Sequence, residues 1–105
     1  MARINNNDFC GNVNRGVKNG DFWEGSYISL ENGKGVIYGS NQDDYVFSAE
    51  DIANFTCTGT GTDVPRNNIK LPTIRFIVEF KGGKKAQADI LTDKVDAFKL
   101  SMKLM

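Results

Sequence analysis

The chain has 105 residues, 40% of them hydrophobic and 25% charged, which fits one globular domain and leaves no room for a second core. Thirteen basic residues balance thirteen acidic ones, so broad binding to nucleic acid lacks its electrostatic basis. The absence of histidine excludes Ser-His and Cys-His nucleophile pairs and removes the commonest metal ligand, so we expect no enzyme, no metal and no cofactor.

The first 21 residues are polar and rich in asparagine and glycine, as in "NNNDF" and "GNVNRGVKNG". This composition predicts a polar tail or loosely attached segment, with one short strand near residues 9–13, ahead of a single domain at residues 22–105. The start lacks the apolar core of a signal peptide, which predicts a cytoplasmic protein with reduced thiols. Cys10 then lies in the tail, where its thiol could react but has no obvious activating partner, and Cys57 is expected to be a buried apolar residue and not a nucleophile.

A first hairpin is predicted in "SYISLENGKGVIYGS", because Asn-Gly is the preferred pair for a type I′ turn. Placing Asn32 and Gly33 in the loop pairs opposite charges beside the turn and residues of like character farther along the two strands. The predicted pairs are Glu31 with Lys34, Ile28 with Ile37, and Tyr27 with Tyr38.

This register gathers aromatic residues on one face of the hairpin. We expect a candidate interface there, formed by Trp23, Tyr27, Val36 and Tyr38, because aromatic side chains anchor many protein interfaces. The face could bind a protein or peptide partner, or it could join copies of the chain. The alternative is that residues 1–20, another strand or the curled sheet itself covers it.

The middle of the chain predicts two more strands, "DDYVFS" and "IANFTCT", joined by a single helical turn that Ser48 can cap. A long loop follows at residues 58–72, where Arg66 and Lys70 are candidate partner contacts. Its "TGTGTD" start suggests a phosphate loop, but Asp63 and Val64 follow where Gly-Lys-Ser/Thr is required, so we reject that motif.

A second hairpin is predicted in "RFIVEFKGGKKAQADI", with a three-residue loop at residues 81–83. That loop keeps the apolar side chains on one face and pairs opposite charges on the other. The predicted pairs are Val78 with Ala86, Phe76 with Ala88, Ile74 with Ile90, Arg75 with Asp89, and Glu79 with Lys85. Lys34, Lys81 and Lys84 are candidate anion contacts, and the alternative is that they are solvated turn residues.

The C-terminus predicts a helix that begins after Thr92. Apolar residues recur in it at spacings of three and four, which gives a single stripe that packs on the sheet. The stripe consists of Leu91, Val95, Phe98, Met102 and Met105.

Two segments, "YVFSAEDIANFTC" and "IRFIVEFKGGKKAQADILTDKVDAFKLSMK", resemble the short bacterial GRAM-like members of the pleckstrin-homology-like superfold. The resemblance implies an α+β fold: a bent antiparallel sheet or partly open barrel that one C-terminal helix caps. It also implies a binding module. We expect a protein or peptide partner, with a second copy of the chain as one form of it. Nucleic acid is not expected, and membrane lipid is a further alternative that the resemblance allows, although Lys34 alone stands at the first hairpin where lipid-binding relatives carry several basic residues.

Overall fold

The structure, a computed structural model, describes residues 8–18, 21–22, 26–38 and 44–104. The described residues form ten strands and one α-helix. The strands are β1 (Asp8–Lys18), β2 (Asp21–Phe22), β3 (Ser26–Glu31), β4 (Lys34–Tyr38), β5 (Tyr45–Phe47), β6 (Ile52–Thr60), β7 (Val64–Arg66), β8 (Ile69–Leu71), β9 (Thr73–Phe80) and β10 (Lys85–Leu91). The helix α1 spans Val95–Ser101, and 3₁₀ turns lie at Ala49–Asp51 and Thr92–Lys94.

Seven of these strands form one antiparallel sheet in the order β5-β4-β3-β1-β10-β9-β6. β2 pairs with the end of β1, and β7 pairs with β8 in a separate hairpin. The described part of the chain is therefore an α+β fold, with α1 packed against the inner face of the sheet.

The sheet curls strongly, because its two edge strands are neighbours along the chain. Only residues 48–51 separate β5 from β6, and four residues span at most roughly 14 Å. The aromatic rings show the same closure, since Phe47 of β5 lies 4.8 Å from Phe80 of β9 between ring centroids. The result is a half-barrel with a gap between β5 and β6.

Both hairpin registers predicted from the sequence are confirmed. In the first, Tyr27 pairs with Tyr38 and Ile28 with Ile37. In the second, every predicted pair is present, from Lys85 opposite Glu79 to Ile90 opposite Ile74. Gly83 has the positive φ, +93°, that closes a three-residue loop.

The prediction of a loose tail is wrong for residues 8–18. They form β1, which lies in the middle of the sheet between β3 and β10. Cys10 and Val13 are completely buried in the core, so the domain includes this strand and does not begin at residue 22. Both edges of the strand are hydrogen-bonded to neighbouring strands. Gly11 also allows close approach to β10.

The long loop predicted at residues 58–72 is largely structured. β6 extends to Thr60, and the β7-β8 hairpin turns at Asn67 and Asn68, which both have positive φ. This hairpin lies on the outer face of the main sheet, where Val64 is buried and the Arg66 guanidinium lies 4.6 Å above the Phe9 ring.

The apolar stripe of the C-terminal helix packs as predicted. Val95, Phe98 and Met102 are buried against the inner face of the sheet, and Met105 lies outside the described residues. The helix is shorter than the stripe suggested. The Thr92 hydroxyl donates to the Pro72 carbonyl, 3.2 Å away, and a 3₁₀ turn precedes α1.

Candidate functional site

The strongest candidate site is the free edge of β6. Among the described residues, β6 is hydrogen-bonded to β9 on one side and to no strand on the other. It is nine residues long and contains no Asp, Glu, Lys, Arg or Pro between Ile52 and Thr60. Natural edge strands usually carry such residues because an open edge otherwise accepts another strand.

The register shows which backbone groups of β6 point outward. The Phe80 amide donates to the Lys84 carbonyl at 2.7 Å, on the side of β9 that faces β10. Because successive residues of a strand bond to opposite neighbours, Phe80 and every second residue before it in β9 bond to β10. The residues between them, Ile77 and Glu79, therefore bond to β6. Their partners are Thr56 and Asn54, which leaves the N–H and C=O groups of Phe55 and Cys57 directed away from the sheet.

A β-bulge lies at each end of the part of β6 that pairs regularly with β9. Register shifts lie between Ile52 and Asn54 and between Cys57 and Gly59, so the extra residues are Ala53 and Thr58. The Thr58 hydroxyl donates to the Arg75 carbonyl at 3.3 Å, which ties the second bulge to β9. Residues 54–57 thus form a short, regular stretch of the free edge with a bulge at each end.

Phe55 holds this edge in place. Its ring stacks on Phe76, 4.3 Å away between centroids, and lies 5.6 Å from the Phe98 ring of α1. The strand is therefore fixed to both the sheet and the helix, so a partner strand would meet an edge that is already ordered. Such pre-organisation lowers the entropy cost of binding.

The candidate aromatic interface is only partly at the surface. Val36 and Tyr38 are each 4% exposed, and Trp23 lies outside the described residues. Tyr27 is half-buried and stacks on Tyr38 with 4.6 Å between ring centroids. Of the two alternatives that the sequence left open, the structure favours a covered face at Val36 and Tyr38.

The candidate loop and anion contacts lie at separate places. Arg66 and Lys70 are exposed on the β7-β8 hairpin, where the Arg66 guanidinium packs on Phe9. Lys34 and Lys81 are exposed at the two hairpin tips, and Lys84 is half-buried. The backbone N–H of Lys81 donates to the Asp51 carbonyl at 2.8 Å, which joins the tip of the second hairpin to the 3₁₀ turn.

Both predictions for the cysteines are wrong. Cys10 is a fully buried thiol, and Cys57 is exposed. The error at Cys57 arises because β6 is an edge strand, whose side chains lack a neighbouring strand to cover them. The error at Cys10 arises because β1 is central and not a tail.

Acidic residues near the 3₁₀ turn act in local capping. The Ser48 amide donates to Asp51 Oδ2 at 2.9 Å, as a capping arrangement predicts. The Ser48 hydroxyl hydrogen-bonds Glu50, which lowers the pKa of that carboxyl. Within the described residues no group of three or more Cys, Asp or Glu side chains could hold a metal ion.

No protein-family model, curated protein or solved structure matches this chain. In the part of the chain that the structure describes, no helix has the length and apolar character to cross a membrane.

Proposed function

We propose that this chain is a non-catalytic binding module that accepts an extended segment of a protein partner at the free edge of β6. The observation that carries the proposal is the uncharged edge strand, with the outward backbone groups of Phe55 and Cys57. An added strand obtains its affinity from main-chain hydrogen bonds, and its specificity from side chains that alternate between the two faces.

The scaffold around this edge also supports the proposal. A curled antiparallel sheet with a C-terminal helix suits the pleckstrin-homology-like resemblance, which implies a binding module. Phe98 of α1 lies next to Phe55, so the helix supports the strand that would bind the partner. The exposed Cys57 thiol on this edge suits a reducing compartment such as the cytoplasm.

Selection from a library of displayed extended peptides tests the function. Binders of the wild-type chain are compared on Cys57→Pro, which removes an outward N–H, and on the matched control Cys57→Ser, which keeps it. We expect Cys57→Pro to weaken binding by about tenfold or more and Cys57→Ser to leave it nearly unchanged. Circular dichroism checks that both variants are folded.

Amide hydrogen exchange gives a second measurement on the same complexes. A bound strand should slow exchange at Phe55 and Cys57, because their N–H groups become hydrogen-bonded. Peptides that bind wild-type and Cys57→Pro chains equally, without protecting these amides, would contradict the β6 site.

A further inference from the structure

We propose that a second copy of the chain occupies this edge, so that β6 pairs antiparallel with β6 of the other copy about a two-fold axis at Thr56. The inference rests on the proposed function, because it names the partner of the same edge. Three features of β6 support it: its register, the complementarity of its side chains with those of a second β6, and its lack of charged residues.

Backbone direction limits the possible registers. Only Phe55 and Cys57 point their N–H and C=O groups outward in the regular segment, so the two-fold axis can pass through residue 55, 56 or 57. If the axis passes through Phe55 or Cys57, that residue forms a regular hydrogen-bonded pair with its own copy. The other of the two outward residues then lies opposite a bulge of the second copy. An axis at Thr56 pairs Phe55 with Cys57 of the second copy twice over, which gives about four backbone hydrogen bonds.

The side chains agree with this register. On the inner face, the apolar Phe55 lies opposite Cys57 of the second copy. On the outer face, Thr56 lies opposite Thr56 of the second copy, so two hydroxyl groups meet at the axis. Thr56 is exposed in the single chain, and contact with a second copy would cover it.

Charge does not oppose the pairing. The strand carries no charged residue between Ile52 and Thr60, and the whole chain has thirteen basic and thirteen acidic residues. Two copies therefore approach without net repulsion. Because the contact is isologous and a bulge lies at each end, it closes as a dimer and does not propagate into a fibre. The short segment predicts a weak dimer, with a Kd of about 10–100 µM.

The first experiment measures association by sedimentation equilibrium from about 1 µM to 1 mM, a range that spans the expected Kd. Thr56→Lys and Thr56→Glu each place like charges opposite one another at the axis, so each variant alone should be monomeric, with Kd raised about tenfold or more. An equimolar mixture of the two should dimerise again, because Lys then lies opposite Glu. Thr60→Lys adds the same charge outside the paired segment and should change Kd by less than about threefold.

The second experiment tests the register by disulfide formation in a Cys57→Ser background. Thr56→Cys places two thiols in a non-hydrogen-bonded pair with Cα atoms about 4.5 Å apart, within the range of a disulfide. The matched control Thr58→Cys separates the two thiols by roughly 14 Å along the strands. We expect mild oxidation to cross-link only the Thr56→Cys variant.

The outcomes separate the two proposals. A wild-type chain that stays monomeric at about 1 mM overturns the second-copy inference. So does a dimer that Thr56→Lys leaves intact, or one in which Thr58→Cys cross-links and Thr56→Cys does not. If the chain is monomeric and selected peptides still depend on the outward N–H of Cys57, the proposed function stands and the second copy is wrong. If the chain is monomeric and peptides bind independently of β6, both fail.

Discussion

Arg75 and Asp89 form a bidentate ion pair between β9 and β10, with Arg75 Nε 2.8 Å from Asp89 Oδ1 and Arg75 Nη2 3.0 Å from Asp89 Oδ2. Asp89 is only 1% exposed, and its Oδ2 also accepts the Thr62 amide at 2.8 Å. Donation of its hydrogen bonds to the Asp89 carboxylate raises the pKa of the Arg75 guanidinium. One buried carboxylate therefore joins two strands of the sheet to the segment that leads into the β7-β8 hairpin.

Arg75→Met should destabilise the chain by removing the cation and leaving the Asp89 carboxylate buried. We expect the free energy of unfolding to fall by roughly 2–3 kcal/mol, less than for a fully buried pair because the Arg75 side chain is 31% exposed. Urea denaturation followed by circular dichroism measures the change. The matched control is Glu79→Gln, at the half-buried Glu79 opposite Lys85 in the same hairpin, with an expected loss within about 0.5 kcal/mol. Equal losses in the two variants would contradict a special role for the Asp89 pair.

The two cysteines should differ sharply in reactivity. A thiol-specific reagent should modify Cys57 rapidly in the folded chain and reach Cys10 only after denaturation, because Cys10 is fully buried. We expect one equivalent of modification without denaturant and two with it. Cys57→Ser is the control, and it should give none in the folded state. Rapid modification of that variant under native conditions would contradict the central position of β1.

The sequence predicted best what depends on neighbouring residues. The Asn32-Gly33 turn and the Lys81–Gly83 loop determined both hairpin registers, because turn geometry sets register locally. The central place of β1 depends on its pairing with β10, which lies far away in the sequence, so its polar composition gave no signal. The Asn67-Asn68 pair was a readable signal for the β7-β8 turn, since asparagine tolerates positive φ.

At the candidate site too, the sequence predicted what neighbouring residues determine and missed what distant strands determine. The strand β6 was predicted, and its uncharged run from Ile52 to Thr60 is visible in the sequence. Its position at an edge was not predictable, because that depends on where β5 and β9 lie. The pairing of Tyr27 with Tyr38 was predicted correctly, but the burial of Tyr38 depends on the three-dimensional fold.

Backbone exchange along β6 should alternate in the monomer. We expect the amides of Phe55 and Cys57 to exchange rapidly and that of Thr56 to be protected by its pairing with Ile77. Nuclear magnetic resonance at low protein concentration measures the three rates separately. Uniform protection across these three amides in a verified monomer would show that another segment already covers the edge.

Gly11→Ala should strongly destabilise the sheet. A Cβ at residue 11 would lie 1.9 Å from the Asp89 carbonyl oxygen, and this atom belongs to the backbone and cannot rotate away. We expect a loss of more than about 3 kcal/mol, because β1 would have to separate from β10.

Gly33→Ala is the matched control for this clash. Residue 33 has φ +79° and no atom within 4 Å of a new Cβ, so only conformational strain of about 1–2 kcal/mol applies. Urea denaturation compares the two variants. A loss at Gly11 no greater than that at Gly33 would contradict the close approach of β1 to β10.

Tyr45 should make stability depend on pH in the alkaline range. Burial raises the pKa of its phenol above the ordinary value of 10.0, and the nearby negative charge of Asp51 raises it further. The folded state thus favours the neutral phenol. This stabilisation is complete below pH 10 and is lost as the pH rises through the pKa of the folded state.

The Tyr45→Phe variant has no phenol to ionise at this position, so the stability difference between wild type and variant should be constant below about pH 9 and should shift against wild type above pH 10. Urea denaturation of both chains at several pH values measures this difference, and parallel curves up to about pH 11 would contradict the burial of Tyr45.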